Sequence, residues 1–137
     1  MFPRVELMRA TAQQLENLRH DIRVRSHTLT ADEPKDQGGD DEGPSPQELL
    51  AASLAACTAI TVEMYAKRKG WDVAGMTVDC DYTPAARGCP TRFNVVMKVP
   101  AHLSEEQVER LQVIAAKCPV HRTLEGEVAF AERVELV

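Results

Sequence analysis

The chain has 137 residues, 16 basic and 21 acidic side chains and a formal net charge of −5, a length that suits one domain, residues 1–137, burying about 70% of the surface its unfolded chain would expose. Hydrophobic residues at 44% and charged residues at 27% lie near the globular average, which argues against wholesale disorder. A net acidic chain with one Trp, two Tyr and three Phe offers neither a basic face nor a stacking platform, so nucleic acid is not an expected partner.

Met1 to Glu6 lack the apolar run of a secretory leader. The most apolar stretch, Leu49 to Val62, reads as too short to span a bilayer and carries Ser53, Thr58 and Thr61. The expectation is a cytoplasmic protein that does not engage membranes, with its four cysteines free rather than bridged.

In chain order, residues 4–10 and 18–25 carry strand-like alternation, and Thr28-Leu29-Thr30 suggests a third short strand. Residues 31–45 form a breaker-rich, acidic, solvated connection. Ser45-Pro46-Gln47-Glu48 then announces a helix, with Ser at N-cap, Pro at N1 and Glu at N3. Lys67-Arg68-Lys69-Gly70 ends it, with bases in the last turn and glycine just beyond. Residues 49–62 carry no charge, which predicts a helix half buried all round, wrapped by sheet or shared with another subunit.

Met76, Val78, Cys80 and Tyr82 share one face of a strand over 75–83. Phe93, Val95, Met97 and Val99 share one face of another over 91–99, with Thr83 to Pro90 as the hairpin loop. Ser104 and Gln107 form a second capping box. Val108, Leu111, Ile114, Ala115 and Cys118 then recur at helical spacing. Val128, Phe130, Val134 and Leu136 suggest closing strands, giving the order β-β-β-α-β-β-α-β of an α+β domain.

Four cysteines raise the question of chemistry. Simple pairing sets Cys80 opposite about residue 93. That leaves Cys89 about 13 Å away, beyond the ~7 Å that a disulfide tolerates, and the spacings fit no zinc site. Cys57, three turns into an apolar helix, reads from position alone as a small buried hydrophobe, with no base on its own helix nearer than Lys67 downstream. Cys118 stands in Lys117-Cys118-Pro119-Val120-His121-Arg122, in electropositive company. It either caps a new turn begun by Pro119, which favours a thiolate, or closes the preceding helix, which opposes one. His121 beside Cys118 allows a Cys–His acyl hydrolase without an evident orienting group. His20, His27 and His102 read as solvated surface residues, and Glu48 is explained by the capping box.

Residues Gly43-Pro44-Ser45-Pro46-Gln47-Glu48-Leu49-Leu50 through Ala56-Cys57-Thr58, with Cys118-Pro119-Val120-His121-Arg122-Thr123-Leu124, resemble the OsmC/Ohr family over about residues 43–137. The first 40 residues match in strand content alone. The resemblance implies an OsmC/Ohr-type α+β fold, two sheets wrapped around central helices in an intertwined homodimer. It also implies thiol-dependent reduction of organic hydroperoxides, with Cys57 peroxidatic, Cys118 resolving, no resident cofactor, and a lipoyl-type or other dithiol as co-substrate. Peroxidases of this family pair an arginine with a glutamate ten residues before the first cysteine. Here that position is Gln47, with Glu48 next to it, and residues 26–45 hold no arginine. Arg25 and Arg122 are the candidate substitutes, with His121 nearby. The departure motivates a second expectation, a non-catalytic binding protein for a small hydrophobic ligand.

Overall fold

The computed structural model describes residues 7–137. The chain divides into two compact units, Met1–Leu50 and Ala51–Val137, and one long helix runs through the division.

In the first unit, β1 (Thr11–Gln14), β2 (His20–Val24) and β3 (His27–Ala31) form an antiparallel sheet in sequence order. Thr11 pairs with Arg23, and Ile22 with Leu29. The first strand is displaced from the expected 4–10. Residues 7–10 form no strand, and 4–6 lie outside the described residues. β1 is Thr-Ala-Gln-Gln, wholly exposed, so apolar alternation could not announce it. Its pairing with β2, helped by Arg23 Nη1 donating to Gln13 Oε1 at 3.0 Å, makes it a strand.

The acidic connection is more ordered than a solvated loop. Asp32 is buried, receiving the N–H groups of Glu33 (2.7 Å) and Glu42 (3.1 Å). A Cβ at Gly39 would collide with the Glu33 carbonyl, so glycine is required for the chain to close over that carboxylate. Burial pushes the Asp32 carboxyl up. The N–H groups of Glu42, Glu33 and Asp40, with the Arg19 charge, outweigh burial and hold it below its ordinary 3.8.

α1 spans Pro46–Lys69. Its capping box is present, Ser45 N–H donating to Glu48 Oε1 (2.9 Å) and Glu48 N–H to Ser45 Oγ (3.2 Å). By length and composition α1 is long and apolar enough to cross a membrane, so the expectation that its apolar stretch is too short does not hold on length alone. Its first half is not buried all round within the chain. Leu54, Thr58, Val62, Tyr65 and Ala66 form the buried stripe, while Ala52, Ser53 and Ala56 are exposed, as are Ile60 (58%) and Met64 (62%). One chain supplies packing partners for one stripe only.

The second unit adds β4 (Thr77–Thr83), β5 (Arg92–Lys98), α2 (Glu105–Ala115) and α3 (Pro119–Glu125). Val62, Tyr65, Ala66, Val73, Leu103, Leu111 and Ile114 form its core, with Met76, Met97 and Val99 of the hairpin packed against them. The β4–β5 register sets Cys80 opposite Val95, not residue 93. The turn tightens at Ala86–Cys89, and Tyr82 instead faces Phe93, their rings stacked at 4.8 Å. The sequence-based closing strands do not form. Residues after Glu125 have no regular structure, and Phe130 (83%) and Leu136 (98%) stand exposed. A strand needs a neighbour for its ladder, and among the described residues none pairs with this alternating segment. Among the described residues the order is thus β-β-β-α-β-β-α-α, with three α-helices and two small antiparallel sheets.

Leu111→Ala, in the tightest part of this core, is expected to lower stability by about 3 kcal/mol in urea unfolding. Because the Asp32 pKa is depressed by folding, its contribution is whole above its ordinary 3.8 and lost as pH falls through the lower folded value. Asp32→Asn is expected to be less stable at neutral pH and to flatten that acid limb in pH-dependent melts.

Candidate active site

Two sulfurs from distant parts of the chain meet in the second unit. Cys57 is half-buried in α1. α2 ends at Ala115, the chain turns through Lys117, and Cys118 adopts an extended backbone at φ −64°, ψ 143° as N-cap of α3, with Pro119 in its first turn. A residue before proline is driven from helical geometry into this region. The structure therefore decides between the two readings of Cys118: it caps the new helix.

Cys118 Sγ is fully buried and accepts the His121 N–H at 3.3 Å. From α1, the Thr58 hydroxyl approaches the same sulfur at 3.9 Å. Cys118, the Val120 N–H and the Thr61 hydroxyl all lie near enough to Cys57 to shift its pKa. Consecutive N–H groups of the first α3 turn thus stand one by each sulfur. Burial pushes the Cys57 thiol above its ordinary 9.0. The Val120 N–H opposes burial, the neighbouring Cys118 sulfur adds to it, and Thr61 opposes it again, leaving a net rise. No cation is among these groups.

The other candidates fall as follows. Glu48 is occupied by Ser45, whose N–H and hydroxyl lower its pKa. Gln47 is exposed in the first turn of α1, and Arg122 is exposed on α3. Arg25 sits in the two-residue β2–β3 turn at φ +55°, exposed. The ring of His121 pairs with Glu125 one turn on, while its backbone N–H, not its ring, serves Cys118. Among the described residues no group of His, Cys, Asp and Glu could hold a metal ion. Thr58, Thr61 and Val120 were not anticipated. Thr61 stands four residues after Cys57, one helical turn, the only signal that could have found it.

Thr58 and His121, the two donors to Cys118, also line a cavity of about 480 Å³, bounded by Phe93, Val95, Met97 and Val99 of the hairpin segment and by Val108 and Leu111 of α2. Its polar lining is Thr58, Gln112 and His121. It can accept an apolar body beside a polar end.

Alkylation of Cys57 by iodoacetamide, followed by peptide mass against pH, is expected to keep rising past pH 9.0, as a thiol raised by burial requires. A plateau near neutrality would show that a cation reaches it.

No curated protein matches the chain. Among solved structures, it is similar to an osmotic stress induced and detoxification response protein from Psychrobacter arcticus, with 23% identity over 90% of this chain and 91% of that one and a TM-score of 0.74. An OsmC-like protein from Mycoplasma pneumoniae gives 21%, 88%, 89% and 0.73. An organic hydroperoxide resistance protein from Legionella pneumophila gives 18%, 90%, 93% and 0.65. These likenesses show a shared fold. The family model described as OsmC-like protein matches residues 39–133, a span that includes both cysteines and most of the chain, and the chain belongs to this OsmC-like family.

Proposed function

We propose that the protein is a thiol-dependent peroxidase that reduces organic hydroperoxides, with Cys57 attacking and Cys118 resolving. The observation that carries this reading is the nearness of the two thiols, close enough for Cys118 to raise the Cys57 pKa, one half-buried and one fully buried. The Cys57 thiolate attacks the distal peroxide oxygen. The O–O bond breaks, the alkoxide takes a proton and leaves as the alcohol, and Cys57 is oxidised to a sulfenic acid. Cys118 sulfur then attacks Cys57 sulfur, water leaves, and a disulfide forms. An external dithiol reduces it by exchange. The apolar cavity supports an alkyl or acyl-chain hydroperoxide over hydrogen peroxide. Free thiols suit the reducing cytoplasm.

The working unit in this proposal is a homodimer. Ile60 and Met64 on α1, Val96 on β5 and the alternating apolar side chains after residue 127 are all exposed in a single chain, and a second copy would cover them. The raised Cys57 thiol and the large apolar cavity favour one second reading, a binding protein for a small hydrophobic ligand.

With dithiothreitol or dihydrolipoamide as reductant, cumene hydroperoxide is expected to be consumed faster than hydrogen peroxide, with the rate rising toward alkaline pH. Cys57→Ser is expected to abolish turnover, and Cys118→Ser to leave a trapped sulfenic acid. No peroxide consumption, with a hydrophobic molecule retained in native mass spectra, would select the binding reading. Light scattering at micromolar concentration should return twice the chain mass, and Ile60→Asp with Met64→Asp should reduce it toward the single chain.

A further inference from the structure

We propose that Thr58 is a positioning residue that makes Cys118 the sulfur released when an external thiol reopens the Cys57–Cys118 disulfide, so that the incoming thiol bonds to Cys57. The inference rests on the peroxidase reading and deepens it by naming the direction of the reductive step.

Thr58 is 2% exposed, in the middle of α1. A buried hydroxyl needs a partner, and this one lies 3.9 Å from Cys118 Sγ. The same sulfur, 0% exposed, takes the His121 N–H at 3.3 Å. Two donors from two different helices therefore converge on a sulfur that solvent does not reach. Cys57 is partly open, and it is the sulfur that an external thiol can approach.

Thiol–disulfide exchange breaks the bond toward the sulfur that better carries the negative charge, and access decides which sulfur is attacked. Here access favours Cys57, and the two donors stand on Cys118. A thiolate of the dithiol attacks Cys57 Sγ, the S–S bond breaks, and its electron pair goes to Cys118 Sγ. The Thr58 O–H and His121 N–H are already in place to receive the developing charge, so no donor has to reorganise. The second thiolate of the reductant then attacks its own sulfur in the mixed disulfide and expels Cys57. The dithiol ends as a disulfide, and its two protons end on the two protein thiols. Thr58 acts through Cys118.

The test uses full-length protein oxidised with one equivalent of cumene hydroperoxide, disulfide formation being confirmed by a two-hydrogen mass loss. Reduction by dithiothreitol is followed in wild type, Thr58→Val, which keeps the branched shape, and Thr58→Ser, which keeps the hydroxyl. In a parallel sample the mixed disulfide formed with 2-mercaptoethanol is mapped by peptide mass. The expected result is an adduct on Cys57, reduction about fivefold slower in Thr58→Val, near 1 kcal/mol at 1.36 kcal/mol per tenfold, and restoration in Thr58→Ser. In Thr58→Val the share of the 2-mercaptoethanol adduct found on Cys118 should rise, a redistribution that a merely structural effect would not produce. An adduct on Cys118 in the wild type, or reduction of Thr58→Val at the wild-type rate, would overturn the inference while leaving the peroxidase reading intact. Failure of any disulfide to form would overturn both.

Discussion

A proline placed after a cysteine governs the geometry of this site. Pro119 cannot accept a helical residue before it without a clash, so Cys118 leaves α2 in an extended conformation and opens α3. The thiol that would have been one more apolar position on α2 becomes a capping group instead. Its sulfur turns to the N–H of His121, and the neighbouring N–H of Val120 is left for Cys57. Without that interruption the two sulfurs would not share one turn of backbone.

The electrostatics around the pair are those of neutral donors. Burial penalises charge on Cys57, and amide and hydroxyl groups compensate only partly, because each supplies a partial charge where a guanidinium would supply a whole one. The pair is therefore arranged first for proximity. Cys118 is enclosed and faced by two donors, and Cys57, more open, is suited to meeting a reactant. Such a division of labour follows from where the helices place the sulfurs, since the two side chains are chemically identical.

α1 meets two demands at once. Its buried stripe from Leu54 to Ala66 builds the core with α2 and carries Thr58 beside Cys118. Its opposite stripe, small at Ala52, Ser53 and Ala56 and bulky at Ile60 and Met64, faces outward in the single chain. A helix without charge over fourteen residues has no side adapted to water, which is why the sequence reads as buried on every side although one chain covers only part of it.

Where local chemistry decides, the amino-acid order already announces the structure. Both capping boxes, Ser45 with Glu48 and Ser104 with Gln107, satisfy orphan N–H groups within four residues and appear as read. So do the alternating faces of β4 and β5, since their period is a property of the backbone. Elements that depend on a distant neighbour could not be read this way. β1 has no apolar pattern and exists because β2 pairs with it. The alternating tail after Glu125 has the pattern but, within the chain, no strand beside it. The two cysteine motifs were visible as motifs, yet the role of Cys118 as a cap and the approach of Thr58 across 60 residues of chain arise from packing α1 against the α2–α3 turn. Contacts of that range carry no signature in local spacing, because the hydroxyl and the thiol come into register only after the intervening hairpin and helix have folded.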